Sequence, residues 1–501
     1  MKSNEMAALN LDRADTRVFS KHFELANCET DEMEALGALA GLGLGENGES
    51  GVSFAAREID GATVTYRDLK VRDETASIDA FTADLATFHC AAMTDEGPSY
   101  DRLDLGNAMI RDEDVTFNFE TLNISEPTPD AAAAIVGGML GPISGSQEGN
   151  IGFGGISLTG ATVTGEGFTG KLDTLAWGET RENDLQGLAD MMVENLKVSF
   201  ASQDGADGLE LTFDGMSARN FAVGGLDASQ VSTSGVVGSV LDGFTLMKKP
   251  YDEFVVGQLK LASPEFDVNF QGIEGQATEN GDVVSVVQTL KPVTINLKPE
   301  MGQKPNTAGI YQQLKTLGFE SMRFSGSSES TLDKRDDSLT VSDGLLIMDD
   351  AFRLNFEYSA EGLNDMVETM KGMTDLELRQ NPLAAYDPLK LRSMRITLED
   401  NSITTRGLKL ASEMTGQSEK NVKRMLGVAV LGAALAAQND VQAEVYSETT
   451  AAFADFVKNG GTLTIEANPP EPFPLTPLIS GGGEDIDPDT LGFSASQAPT
   501  E

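Results

Sequence analysis

The sequence predicts an α+β, β-dominated fold: an elongated antiparallel sheet or meander with interspersed amphipathic helices. Three observations lead there. Apolar and polar residues alternate strictly over many short stretches, the period-2 signature of strands with one face on a core. Glycine is abundant, 52 of 501 residues, and collects between those stretches in Asp-Gly and Asn-Gly pairs, a strong hairpin signal. Helical spacing appears only in isolated segments without a βαβ rhythm, so a parallel sheet buried on both faces is a poor fit.

In chain order the alternating strands are Val115–Phe119, Leu196–Phe200, Leu209–Phe213, Phe266–Phe270, Phe352–Tyr358, Met394–Leu398 and Leu463–Ile465. Each sets apolar side chains on one face and Asp, Asn, Lys, Ser or Thr on the other. Ser202–Gly208 (SQDGADG) joins two of them directly, as a loop between consecutive strands would. Candidate helices, from 3.6-residue apolar spacing, are Asp130–Leu140, Leu185–Leu196, Ala308–Leu317, Leu363–Met373, Leu408–Ala437 and Glu444–Lys458. The last has a clear end, because Gly460-Gly461 can supply the left-handed residue that terminates a helix. Helix-to-strand units recur at irregular intervals, which excludes a solenoid of short repeats.

The domain organisation expected from composition runs as follows. A β-rich N-terminal region spans 1–136, a Gly-rich connector 137–155, a central β-rich body with helices 156–390, a C-terminal helix-strand unit 391–480, and an acidic disordered tail 481–501. Ser325–Ser338 reads as a long polar hairpin tip. Pro469, Pro470, Pro472, Pro474 and Pro477 close the body, since a central strand cannot spare so many N–H donors.

Charge excludes one class of partner. With 36 Lys and Arg against 79 Asp and Glu, the formal net charge is −43. Nucleic-acid affinity rests on cations that neutralise phosphates, so no nucleic acid is expected. The same field opposes docking on anionic lipid surfaces. Met1–Arg13 lacks the basic and apolar regions of a signal peptide, so none is expected within this chain. The longest apolar run, Met425–Ala437, is shorter than the roughly 20 residues of a membrane-spanning helix, so no membrane-spanning segment is expected.

Cysteine and histidine chemistry is confined to the first fifth of the chain: Cys28, Cys90, His22 and His89. Three readings stay open for the cysteines: a Cys28–Cys90 disulfide, which needs an oxidising compartment, a zinc site, and two buried thiols. Against zinc, no pair has the short spacing of structural ligands. Gly165–Leu172 (GEGFTGKL) satisfies G-x-G-x-x-G and most of a phosphate loop, but Leu172 stands where Mg²⁺ needs Ser or Thr, and strand-like flanks replace the helix. A glycine-rich turn is the plainer reading. Asp485, Asp487 and Asp489 have the opening spacing of a calcium loop, yet Thr490 and Ser496 occupy the places of its Gly and Glu. Any Ser–His or Cys–His hydrolase would have to use His22 or His89, and neither lies in a nucleophile-elbow context. With a single tryptophan, Trp177, a sugar-stacking cleft is also a poor fit. No catalytic residue, metal ligand or cofactor is assigned.

The stretch Leu391–Leu398 (LRSMRITL), the helix after it and GGTLTIEANPPEPFPL resemble the helix-plus-strand organisation of bacterial AsmA-like cell-envelope proteins, which handle lipid. The resemblance covers roughly the last fifth of the chain. It implies periplasmic residence and a role with lipid or an envelope protein in outer-membrane homeostasis, without enzymatic activity. Two alternatives remain. One is a soluble, acidic structural or interaction module that uses exposed strand edges, compatible with a cytoplasmic location. The other is a carboxylate- or metal-dependent hydrolase. A continuous apolar groove on a sheet favours the first reading, a filled core the second, and a pocket gathering Asp, Glu or His the third.

Overall fold

The computed structural model describes residues 23, 28, 30–47, 51–73, 78–95, 97–112, 114–140, 153–180, 188–201, 208–222, 249–373, 381, 383–425, 443–479 and 488–499. The fold is α+β and strand-dominated, with antiparallel pairing and a few helices. It forms two compact units, Met1–Val198 with Gly225–Ser232 and Ser199–Gly224 with Thr233–Glu501. The division thus falls at 198/199, not at 137–155: the strands on either side of that glycine-rich stretch pair with each other.

The first unit holds β1 (Val52–Ser53), β2 (Ala56–Asp60), β3 (Thr63–Asp73), β4 (Ile78–His89), β5 (Ala92–Thr94), β6 (Gly97–Ser99), β7 (Arg102–Asp112), β8 (Val115–Ser125), β9 (Gly155–Gly165), β10 (Phe168–Thr180) and most of β11 (Leu188–Phe200). Strands β3, β4, β7, β8, β9 and β10 follow one another as an antiparallel meander. Helix α1 (Glu32–Gly41) starts at Asp31, whose carboxylate accepts the Glu34 N–H at 3.0 Å, and its first turn is acidic. Helix α2 (Pro129–Leu140) starts on a proline, whose fixed φ suits the first helical position. Ala35, Ala38 and Leu39 of α1 and Ala132, Val136 and Met139 of α2 pack with the strands into one core. Tyr66 is fully buried there, and its hydroxyl donates to the Leu44 carbonyl at 2.8 Å.

Sequence periodicity hides one regularity of this sheet. Asp68, Asn107, Gly160 and Asn195, on β3, β7, β9 and β11, all take left-handed φ between 48° and 62°. The carboxylates of Asp84, Glu120 and Asp173 stand between them on β4, β8 and β10. Asn107 Nδ2 donates to Asp84 at 3.0 Å and Asn195 Nδ2 to Asp173 at 3.0 Å, while a Cβ on Gly160 would lie 2.5 Å from the Glu120 side chain. Every second strand thus carries a left-handed residue at the same level, and the buried positions change phase by one residue across it, from Val64 and Tyr66 to Leu69 and Val71 on β3 and from Leu103 and Leu105 to Ala108 on β7. The shift explains a correction. Leu185–Leu196 is not a helix: its described part belongs to β11, where Ala189, Met191 and Val193 alternate before Asn195, and Leu196, Val198 and Phe200 after it. An interrupted period of two imitates helical spacing.

The second unit holds β12 (Leu209–Ala222), β13 (Glu253–Val256), β14 (Leu259–Ala262), β15 (Phe266–Phe270), β16 (Ile273–Asn280), β17 (Val283–Leu297), β18 (Ser321–Asp333), β19 (Ser338–Met348), β20 (Phe352–Glu361), β21 (Lys390–Asp400), β22 (Thr462–Ala467), β23 (Phe473–Pro474) and β24 (Phe493–Ala498). All seven strands expected from alternation are present. Strands β17 to β22 form a meander in chain order, while β13 with β16 and β14 with β15 bridge β12 to β17. Helices α3 (Ala308–Thr316), α4 (Leu363–Gly372) and α6 (Ala443–Asn459) lie within a residue or two of expectation, and α6 ends at left-handed Gly460 and Gly461.

Three expectations fail here. Leu408–Ala437 is not one helix: α5 (Ile403–Thr415) ends at left-handed Gly416, helix resumes over 419–425, and 426–442 lie outside the described residues. The polar stretch Ser325–Ser338 is mostly strand, because hydroxyl side chains on β18 serve its exposed face, and only 334–337 turn. The tail 481–501 is not wholly disordered: β24 pairs with β22 from Thr462↔Ala498 to Ala467↔Phe493. Backbone hydrogen bonding, together with alternation over Phe493–Ala498, outweighs the acidic composition of that segment.

Candidate functional site

Residues directly opposite each other in antiparallel strands point to the same face of the sheet. In the second unit this rule assembles an apolar row seven strands wide: Phe213, Leu259, Phe270, Val293, Phe324, Met348 and Phe352, on β12, β14, β15, β17, β18, β19 and β20. On the same face, two positions along, runs a second row: Leu211, Leu261, Val268, Ile295 and Met322. Between them, on the other face, stand Thr212, Lys260, Asn269, Thr294 and Arg323. Further along the meander the apolar face continues through Leu346, Leu354, Leu398 and Leu463.

Among the described residues, helices cover part of this face. Leu314 and Leu317 near the end of α3, with Phe319 and Ile403, close over Met322, Phe324, Met348 and Phe352. Arg406 on α5 seals that end, its guanidinium 4.6 Å from the Phe319 ring and donating to the Leu317 and Gly318 carbonyls. Ala452 and Phe456 of α6 close over Leu398, Leu463, Ile465 and Ala495. The remaining stretch over β12, β14 and β15 belongs to no core cluster of described residues. Phe213, Leu259, Leu261, Val268 and Phe270 there are each half-buried. Side chains of this size stabilise a fold by about 1.5–3 kcal/mol each when fully buried. Much of that remains unrealised on this face.

An open cleft of about 390 Å³ lies on the opposite side of the same strands, against Phe200, Glu210, Ala262, Ser263 and Lys298. Its Lys298 and Ser263 are engaged. Lys298 Nζ lies 2.7 Å from Asp267 and donates to the Ser263 carbonyl at 2.8 Å. The Ser263 hydroxyl donates to the Phe266 carbonyl and accepts the Glu265 and Phe266 N–H groups, closing its own turn. The arrangement offers no activated nucleophile.

The first unit gathers the cysteines and a histidine. Cys28 and Cys90 are disulfide-bonded, with Cα atoms 5.6 Å apart across 62 residues. This selects the disulfide among the three readings of the pair. Beside it, His89 Nε2 lies 2.9 Å from Asp104, and Arg102 Nε donates to both oxygens of that carboxylate at 2.8 and 2.9 Å. Burial pushes the Asp104 carboxyl up, but the His89 and Arg102 hydrogen bonds and charges outweigh it and hold the group below the usual carboxylate range. Arg102 also donates to the Phe23 carbonyl at 2.8 Å, so the cluster ties the chain ahead of α1 to β7. His22 lies outside the described residues. Among those described, no three His, Cys, Asp or Glu side chains gather as metal ligands.

The remaining motifs resolve simply. Gly165–Leu172 is the tip of the β9–β10 hairpin: Phe168 pairs with Gly165 across a two-residue turn whose Gly167 has φ 77°, and the chain continues as strand. No helix N-terminus follows, so phosphate has nothing to bind. Asp485 and Asp487 lie outside the described residues. Among those described, no helix is long and apolar enough to cross a membrane.

Against known proteins, residues 346–498 match a family model described only as an uncharacterized protein. The matched stretch begins near the end of β19 and closes with the last residue of β24, so it coincides with the ladder β20–β21–β22–β24 and helices α4 to α6. No curated protein matches the chain.

Sequence reading found β12, β15 and β20 of the apolar face but not β14, β17 or β19, and not the face itself. The missing quantity was register: Phe213 and Phe352 are far apart in the chain and meet in one row only through six cross-strand pairings.

Proposed function

We propose that this chain is a non-enzymatic cell-envelope protein that holds the acyl chains of a lipid, or a similar hydrophobic ligand, along the half-buried face of the second unit. One observation carries the reading: the apolar row from Phe213 to Phe352, whose β12, β14 and β15 members lie outside the helix-covered clusters. A contiguous apolar surface left partly open in this way marks a ligand or partner site. Periplasmic residence and a part in outer-membrane homeostasis follow from the AsmA-like style of the C-terminal stretch. The Cys28–Cys90 bond supports the location, since disulfides persist in oxidising compartments.

The test is direct. The full chain, purified from a bacterial host, is extracted with organic solvent and its lipids are quantified by mass spectrometry. The expected result is a defined lipid population that falls at least severalfold in Phe270→Asp, with circular dichroism unchanged. Charge on a half-buried strand position should expel acyl chains without removing a core residue. Absence of co-purifying lipid, or equal lipid on the variant, overturns the reading.

A further inference from the structure

The ligand class can be narrowed by charge, an inference that rests on the reading above. We propose that the apolar face takes lipids whose headgroup carries no net negative charge, zwitterionic or neutral, and discriminates against anionic ones.

Strand parity is the first argument. Lys260 lies between Leu259 and Leu261, Arg323 between Met322 and Phe324, Arg353 between Phe352 and Leu354, and Arg395 between Met394 and Ile396. Each cation therefore stands one position off the apolar rows, on the other face of the sheet. Asp400 pairs directly with Phe352 and so is on the apolar side, at the end of the first row. Lys260, Arg323, Arg353 and Arg395 thus stand on the face opposite the rows, while the Asp400 carboxylate stands beside them.

Neutralisation is the second. Cations at the margins of these strands are already paired: Lys291 with Glu274, Lys298 with Asp267, Lys304 with Glu265, Lys334 with Glu279, Arg392 with Glu361 and Arg395 with Glu466. An anionic headgroup that used one of these six would have to displace its carboxylate. Recognition of phosphate normally uses a free Arg fork or Lys point charge. Around the site the chain as a whole carries a net charge of −43, so an approaching anion meets a repulsive field. A zwitterionic headgroup has no net charge to repel and can use either sign locally.

The experiment offers the purified full chain small vesicles of phosphatidylethanolamine and phosphatidylglycerol in equal amounts, with identical acyl chains. Protein is then separated from vesicles, and bound lipid is read by mass spectrometry at 0.1 M and 1 M salt. At 0.1 M, bound phosphatidylethanolamine should exceed phosphatidylglycerol by about tenfold, the scale on which a surface field alters local ion concentration. At 1 M the Debye length drops from about 10 Å to about 3 Å, and the ratio should fall towards one. Equal uptake at 0.1 M, or preference for phosphatidylglycerol, overturns the inference and leaves the lipid-binding reading standing. A preference that salt does not change overturns the electrostatic cause. Uptake of neither lipid at either salt overturns both proposals.

Discussion

Phe88 in the first unit and Phe270 in the second occupy equivalent places, each directly opposite an apolar residue on both neighbouring strands. Phe88 faces Val64 and Leu103; Phe270 faces Leu259 and Val293. Yet Phe88 is fully buried and Phe270 is not. The rows Phe88 joins lie beneath α1 and α2, and an edge-on aromatic chain of Phe54, Tyr66, Phe88 and Tyr100 fills the space with centroids 5.2 to 6.2 Å apart. Even there, cover thins along the sheet. In the row Val64, Phe88, Leu103, Ile124, Ile156 and Trp177, the first four are buried and the last two half-buried. Both units therefore use an apolar sheet face capped by helices over part of its width. Strand pattern thus builds the face, whereas helix placement decides which part of it becomes core and which part stays half-buried.

Substitutions at the paired positions test that division most sharply. Phe88→Ala should lower unfolding free energy by about 3–5 kcal/mol in urea titration, since the cavity cannot collapse under two helices. A loss below about 1 kcal/mol would mean that the first unit is as open as the second. Next in size is the crosslink. Double replacement of Cys28 and Cys90 by Ser should cost about 2–4 kcal/mol, because the bond closes a long loop in the unfolded chain. Reduction of the wild type with dithiothreitol should reproduce the loss, and the variant itself should be insensitive to the reductant.

A smaller effect is expected at Asp104, whose carboxyl is held below its usual range by His89 and Arg102 despite burial. A depressed folded-state value contributes stability that is complete above the ordinary value near 4 and is lost as pH falls through the folded value. Asp104→Asn should therefore be less stable than wild type by about 1–3 kcal/mol at pH 7. The gap in melting temperature should narrow as the pH is lowered below 4. A gap that stays constant in acid would show that the carboxylate charge contributes nothing. The smallest stability change belongs to Phe270→Ala, about 1 kcal/mol or less, since a half-buried ring has less transfer free energy to lose. The same change should reduce bound lipid measurably, and a large stability loss without lipid loss would make the second face a core like the first.

Much of this architecture was legible in the one-dimensional pattern. Phe266–Phe270 is read correctly to the residue because nothing interrupts its alternation, and Glu444–Lys458 to within one residue at each end because two glycines mark its end. Leu196–Phe200 is read correctly as strand, whereas the residues ahead of it, within Leu185–Leu196, read as helix because Asn195 breaks the phase and a broken period of two looks helical. The row of left-handed residues at Asp68, Asn107, Gly160 and Asn195 has no constant spacing in sequence. Loops of unequal length separate strands whose left-handed residues nonetheless align.

By itself, then, the sequence determined the strands, their turns, the solvent-facing charge and most of the helices, because each depends on neighbours within a few residues. Only the tertiary structure decided that Cys28 meets Cys90, that Phe213 and Phe352 share one row, and that, among the described residues, no helix joins β12, β14 and β15 in a core cluster. Those are properties of register and of helix docking, set by hydrogen bonds and contacts between residues remote in the chain. No local period encodes them.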